Sequence, residues 1–384
     1  MKLQRLLFCA TLSAAGIAAQ PALAQAVIGD APYRLTVEGF ANVTAGHQTR
    51  QNDQLPGTSD DARIDAGLRL LGQVNSSAGR IFGIRVEANA SPEEHFVAGE
   101  RSLLYSDSWG RIEVGRRGGL PDTLAGYAPN NYTFTTALFG VYSGRTLDPG
   151  GTLATAFLPA SLAARIDAIS GVGFTSALFG DVSSKIIYVS PKTNGFQAGL
   201  SYSPNAEDAG APFKRLVQGG LTHETYWEQN VLRVGGSYSN ATVEQNGSAA
   251  SATGNLSSLS LGASVTLDDA LDLGVNFTRN GSADNAVPGP SSLYGARGLT
   301  TSVNYNTGPW TFGAYYQWAR AGDGALNTGL DRLQAAQVGA SYRINTKVRF
   351  YGAYYDYQLR NEGNSPGLGP LKGGVFLLGT RIAL

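Results

Sequence analysis

The sequence predicts an all-β fold, a sixteen-stranded antiparallel transmembrane β-barrel with a long inward-folded third loop. Three observations predict it: an export signal in front, short strands with one oily and one wet side, and connections that alternate between short and long. The clearest strand closes the chain. Between Gly374 and Leu384, Phe376, Leu378, Ile382 and Leu384 share one face while Gly379 and Arg381 take the other, which is the two-residue period of a half-buried strand. The same pattern returns in Trp310 to Trp318, Leu271 to Phe277 and Leu232 to Tyr238. Many such strands behind an export signal point to an outer-membrane barrel.

The first segment reads as a cleaved signal peptide, residues 1–24. Lys2 and Arg5 make a basic start, Leu6 to Ala19 an apolar core, and Ala22-Leu23-Ala24 a small-residue cleavage site. Residues 25–384 are then the mature barrel. Cleavage removes the single Cys, Cys9, and the single Met, so neither a disulfide nor thiolate chemistry is expected. It also leaves 27 basic against 29 acidic side chains; without a polybasic tail a nucleic-acid partner is not expected. No stretch after residue 24 holds the roughly 18 consecutive apolar residues of a spanning helix. A mean hydropathy of −0.11 suits a barrel, whose strands average a lipid face with a lumen face.

Taken in order, the first three strands present Leu35, Val37, Ala41 and Val43, then Ile64, Ala66, Leu68 and Leu70, then Phe82, Ile84, Val86 and Ala88 on the apolar side. The fourth and fifth, near 101–106 and 110–116, show Leu104, then Ile112 and Val114. Eleven more are expected at 184–190, 195–203, 215–222, 231–239, 256–267, 271–279, 299–306, 309–319, 333–343, 347–357 and 374–384. The sum is even, as closed bacterial barrels require. Short connections such as Asn75 to Ala78, Asp268 to Ala270 and Thr307-Gly308 alternate with long ones at 46–62, 91–99, 240–255, 280–298, 320–332 and 358–373. That is the rhythm of periplasmic turns and extracellular loops.

One connection, residues 117–183, exceeds ordinary loop length and so marks function or disorder. Disorder fits poorly, because the stretch carries Leu138, Phe139, Val141, Leu153, Phe157, Leu162, Ile166, Ile169 and Phe174, apolar surface that needs burial. A short helix is expected near Leu162 to Ile169. A barrel of this strand number leaves an aqueous channel, and a loop folded into it would narrow that channel.

At these residues the chain resembles the general Gram-negative porins, the sixteen-stranded trimeric family. The resemblance rests on Ser108 to Arg116, on Lys185 to Pro191 with Gly195-Phe196, on Val37 to Phe40 and on the closing strand. It implies a homotrimer in outer-membrane lipid that passes small hydrophilic solutes and ions without a cofactor. Two departures stand out. The chain ends Ile382-Ala383-Leu384 where the family usually ends on an aromatic residue, and Gly180 to Ser183 replace an Arg-x-x-Asn motif.

Strand parity points Arg34, Glu38, Arg63, Asp65, Arg69, Arg85, Glu87, Arg111, Glu113, Arg349 and Arg381 inward. Any one of them is explained by solvation alone. Together the arginines form a basic wall, and a charged ring biases ion passage through a wide pore. The resemblance implies that this wall faces acids of the inward loop, here Asp122, Asp148, Asp167 and Asp181. Asp53, Asp60, Asp61, Glu94 and Glu100 are expected in extracellular loops, and the segment from Ser91 to Phe96 as a latch to a neighbouring subunit. Tyr33, Tyr202, Tyr238, Tyr305, Trp310, Tyr316, Trp318, Tyr342 and Tyr354 fall near strand ends on the outward parity, as interfacial girdles do. His47, His95 and His223 are all expected in loops or a turn, and no catalytic or metal-binding spacing is recognisable. The expectation is a passive diffusion channel. Its alternatives are an anion- or substrate-preferring channel of the same fold, and a non-conducting surface β-protein that binds an extracellular ligand.

Overall fold

Backbone N–H and C=O groups inside a bilayer have no water to bond, so a sheet can cross only if every strand has two neighbours and no edge remains. The chain meets this requirement by ring closure. A computed structural model describes residues 25–29, 32–50, 61–90, 97–120, 124, 141–142, 145–146, 183–205, 213–244, 253–281, 295–320, 331–361 and 371–383. Its strands are β1 (Gln25–Ile28), β2 (Tyr33–Arg50), β3 (Asp61–Asn75), β4 (Ile81–Ala90), β5 (Val97–Asp107), β6 (Gly110–Arg117), β7 (Val141–Tyr142), β8 (Arg145–Thr146), β9 (Ser183–Val189), β10 (Phe196–Asn205), β11 (Phe213–Trp227), β12 (Asn230–Glu244), β13 (Thr253–Leu267), β14 (Leu271–Asn280), β15 (Arg297–Thr307), β16 (Trp310–Arg320), β17 (Asp331–Arg343), β18 (Val348–Asn361) and β19 (Leu371–Ala383). Strands β2 to β6 and β9 to β19 each pair antiparallel with the next, and β19 returns to β2, giving a closed sixteen-stranded barrel. Among the described residues, β7 and β8 pair with each other.

Both ends of the chain share the closing slot of the ring. β19 pairs with the upper part of β2, from Gly373 opposite Arg50 to Ala383 opposite Phe40. β1 takes up the next stretch of the same edge, from Gln25 opposite Glu38 to Ile28 opposite Leu35.

The alternation has the expected consequence. At one height Ala263, Val275, Thr301 and Tyr316 lie side by side on the outer face of β13 to β16, with Val275 42% and Tyr316 43% exposed. One residue along, Gly262, Asn276, Thr300 and Gln317 form the inner row, and Asn276, Thr300 and Gln317 are buried. Short turns join the strands at one rim. In the turn after β13, Asp268 and Asp269 both take positive φ, at 50° and 53°, the left-handed pair that matches the twist of a tight hairpin. Aromatic rings gather near this rim. Phe82, Tyr105, Trp109 and Tyr188 follow one another at centroid distances of 4.9, 5.9 and 5.9 Å, and Trp310 meets Tyr342 at 4.9 Å.

Three expectations are corrected. β5 begins at Val97 rather than near 101, and its parity is the reverse of the expected one: Leu103 is 61% exposed and faces out, Leu104 is buried and faces in. Two adjacent leucines satisfy either parity, and pairing decides between them, since Leu103 lies opposite the outward Ile84. His47 and His223 sit on strands β2 and β11; the His223 ring lies 4.2 Å from that of Phe196. His95, the segment Ser91 to Phe96 and the helix expected at 162–169 lie outside the described residues.

Candidate functional site: the lumen face

The inner wall carries different chemistry in different sectors. On β2 to β9 it is ionic. Arg69 stands between Glu38 and Glu87 on the flanking strands and donates through Nε to Glu38 at 2.7 Å. Arg85 lies 3.6 Å from Glu100. Glu100 also accepts from Arg117 and, at 2.8 Å, from the backbone N–H of Gly118. Arg117 reaches Glu113 at 2.6 Å, and Arg111 approaches the same carboxylate at 3.1 Å. Glu100, Glu113, Arg117 and Lys185 are all buried. Charges so removed from water persist only when paired.

The arginines expected to form a basic wall therefore divide. Arg69, Arg85 and Arg111 are held by carboxylates of the wall itself. Arg349 and Arg381 face each other across β18 and β19, and Arg343 continues the row on β17; the Arg381 guanidinium also lies 5.5 Å from the Phe40 ring. Arg34 is exposed at the turn end of β2. Arg63 has its backbone on β3 opposite Thr44, and its side chain lies outside the described residues. So do Asp122, Asp148, Asp167 and Asp181.

Glu100, expected in an extracellular loop, stands instead on β5 at the centre of the ionic cluster. Arg117, expected as the first residue of the long loop, belongs to β6. The signal was present, since Arg111, Glu113 and Arg117 share one parity. Lys185, read only as part of a motif, is another inward cation.

On β10 to β17 the wall at mid-height is neutral and hydroxyl-rich. Ser201 donates to Gln218 at 2.9 Å, Gln218 donates to Ser239 at 3.3 Å, and Ser260 donates to Asn276 at 3.2 Å. Upper β17 to β19 is different again. Leu333, Tyr355, Tyr357, Leu359, Val375 and Leu377 face inward and are covered, each 3% exposed or less. This apolar sector went unread because Val375-Phe376-Leu377-Leu378 is apolar on both faces, so alternation there carries no signal.

Beyond β6 the chain turns into the barrel. The Leu120 N–H donates to Gln218 Oε1 at 3.0 Å, and Leu120 and Leu124 pack with Ile187 and Val189 of β9. Lumen-side glycines make the room. A Cβ at Gly199 would stand 2.6 Å from Leu120, and one at Gly220 would stand 2.8 Å from Leu124.

A closed sixteen-stranded barrel with a charged inner sector agrees with a family model for Gram-negative porins that matches residues 10–363. The chain belongs to the Gram-negative porin family. It is a bacterial outer-membrane channel protein by family and fold. Among curated proteins, none matches the porin's sequence significantly. Solved structures share its fold at low identity. An anion-selective porin from Comamonas acidovorans aligns at 14% identity over 92% of this porin and 100% of that chain, with a TM-score of 0.57. OmpT of Vibrio cholerae, in its trimer form, aligns at 14% identity over 91% and 99% with a TM-score of 0.54. A mutant of the Rh. blastica porin aligns at 14% identity over 91% and 100%, also with a TM-score of 0.54.

Proposed function

We propose that this porin is a passive diffusion channel for small hydrophilic solutes and ions, exported with loss of residues 1–24 and assembled as a homotrimer in outer-membrane lipid. The observation that carries the reading is the division of the lumen face. Ion-paired side chains on β2 to β9 stand across from neutral hydroxyls and amides on β10 to β17, a wettable lining in a barrel wide enough for water. In this reading no cofactor or catalytic group takes part, and residues 117–183 narrow the channel. The inward turn at Leu120 and Leu124 and the covered apolar sector on β17 to β19 both favour that role, because the apolar surface of the loop needs a wall to rest on. Asp122, Asp148, Asp167 and Asp181 would then face the arginine wall.

Anion preference is the second reading. The Arg343, Arg349 and Arg381 row puts three like charges opposite one another inside the lumen, and a fold relative is an anion-selective porin. Planar-bilayer conductance together with liposome swelling tests both. Uncharged sugars entering at rates set by their size support general diffusion; faster entry of anionic solutes of equal size supports the second reading. A folded protein that conducts nothing would leave the ligand-binding surface protein as the better account.

A further inference from the structure

On much of the neutral wall, polar side chains satisfy one another. Ser201, Gln218 and Ser239 form one chain of hydrogen bonds. Asp272, Asn306 and Thr311 form another, in which Asn306 donates to Asp272 at 3.4 Å and accepts from Thr311 at 2.9 Å. Four side chains on β15 and β17 break this pattern. Ser302, Asn304, Gln337 and Ser341 have the inward parity and are each 8% exposed or less, yet neither hydroxyl and no nitrogen or oxygen of either amide has a hydrogen-bond partner. They surround a recess. Asn304 lies opposite Gly313 of β16, and Gly313 opposite Gly339 of β17, so two adjoining strands show bare backbone toward the lumen. Both glycines are half-buried rather than covered. Ser302 and Gln337 border this floor on the long-loop side, with Tyr315 between them, and Ser341 borders it on the turn side. Ala353 of β18 stands on the remaining side, opposite Gly339. From Asn304 to Ala353 are three strand spacings, about 14 Å, and the four residue steps from Gln337 to Ser341 also cover about 14 Å. Once the bordering side chains are drawn in, that frame has the scale of a single sugar ring.

The chemistry of the frame selects its ligand. Buried polar groups are costly when unsatisfied, and here the unsatisfied atoms are of both kinds: each amide presents a donor beside an acceptor, and each hydroxyl can be either. An anion would use the donors alone. It would leave both amide oxygens unpaired, and Asp272, directly opposite Asn304, would repel it. A sugar hydroxyl is itself donor and acceptor, so a ring carrying several of them can satisfy the whole frame. We propose that the recess on β15 to β17 is a subsite for a neutral polyhydroxylated solute, with Asn304 and Gln337 reading its hydroxyls and Ser302 and Ser341 completing the frame. The subsite rests on the reading of this porin as a diffusion channel, and names a solute class that the channel holds on its way through. It discriminates by rejection, since a solute without hydroxyls leaves the same buried groups unpaired.

The test uses the folded full-length protein in a detergent without sugar headgroups, with methyl α-glucoside as the probe and saturation-transfer NMR as the readout. Binding is then measured whether or not the pore conducts. Triethylene glycol dimethyl ether, which only accepts hydrogen bonds, and glucose 6-phosphate are parallel probes. The variants are N304L/Q337M, which removes both amides, and G339V, which fills the floor and keeps them; the heat-induced shift in gel mobility checks that each barrel has formed, and either variant suffices. The native protein should bind the glucoside saturably and the ether not at all. N304L/Q337M should weaken binding about a hundredfold, from roughly tenfold per amide, and G339V should weaken it about as much. N304L/Q337M should also unfold at no lower urea concentration than the native protein, because the groups it removes have no partner to lose. Undiminished glucoside binding by either variant, or equal binding of the ether by the native protein, would overturn the subsite. Glucose 6-phosphate bound more tightly than the glucoside, and equally well by N304L/Q337M, would overturn it in favour of the arginines at Arg343 and Arg349. Conductance in potassium chloride separates the two readings: a conducting pore without saturable glucoside binding overturns the subsite alone, and a silent pore that binds the glucoside overturns the diffusion channel alone.

Discussion

Glu100 concentrates the electrostatics of the inner wall. Its carboxylate is buried, accepts from Arg117 and from the Gly118 N–H, and lies 3.6 Å from Arg85. Glu100→Gln keeps the shape and removes the charge, leaving two guanidiniums short of their shared counter-ion. Breaking a buried pair in this way costs about 3 to 5 kcal/mol, so the barrel should unfold at lower denaturant concentration while the open pore moves toward anions. Urea titration in detergent and the reversal potential in a salt gradient measure the two effects; a variant unchanged in both would mean that water already screens this cluster. Lipid and lumen faces can be told apart just as sharply. Val275 is outward and Asn276 inward on β14, so Val275→Arg should cost about 2 to 4 kcal/mol at the bilayer midplane and Asn276→Arg should fold normally. Equal folding yields would reverse the parity of that strand.

In the proposed reading, the elements that matter most for transport are β6 and the chain that leaves it. Gly199 and Gly220 carry no side chain where Leu120 and Leu124 lie against the wall, and Gln218 accepts from the Leu120 backbone. These contacts hold Leu120 and Leu124 against the inner wall, and in the proposed reading residues 117–183 narrow the channel. Deleting Gly126 to Ser176 should therefore raise single-channel conductance and admit larger sugars, because the ladder of backbone bonds that forms the ring does not include that segment. A correctly folded deletion with native conductance would place the constriction elsewhere. Gly199→Val should show a lesser form of the same effect, since its first added carbon already reaches within 2.6 Å of Leu120.

At the scale of the whole molecule, closure of the described strands leaves no edge, so backbone groups of the ring pair with neighbouring strands rather than facing lipid unpaired. Such a ring resists heat and detergent, and the proposed trimer should migrate as an oligomer on unboiled gels and collapse after boiling to a band of one mature chain, somewhat below the 40.2 kDa of the full sequence. A single band under both conditions would count against it. Long-range electrostatics belong to this scale too. Neutralising Arg34, Arg349 and Arg381 together should move the reversal potential toward cations in low salt, where the Debye length reaches about 30 Å at 0.01 M. Neutralising one alone should do little, since the remaining wall charges stay in place. An unchanged potential in the triple variant would put these arginines away from the narrowest point.

The sequence by itself determined the barrel: its strand number, its order, the alternation of turns and loops, and the lumen parity of Arg69, Arg85, Arg111 and Asn276. These are legible because a membrane strand must show hydrocarbon to one side and water to the other, and a two-residue period survives in a single chain. What only the tertiary structure decided is what stands beside what. Parity gave Arg69 and Glu38 the same face, and pairing made them partners. Leu103 and Leu104, or Val375 and Leu377, satisfy either side until a neighbouring strand is fixed. Glu100 reads as a loop acid until β5 is seen to begin at Val97. Arg279, Arg297, Arg320, Arg332 and Arg360 are separated by as many as 28 residues along the chain and become neighbours only through the register of four strand pairs. Register is set jointly by turn geometry and by the packing of both faces, so it belongs to the folded ring and not to any strand read alone.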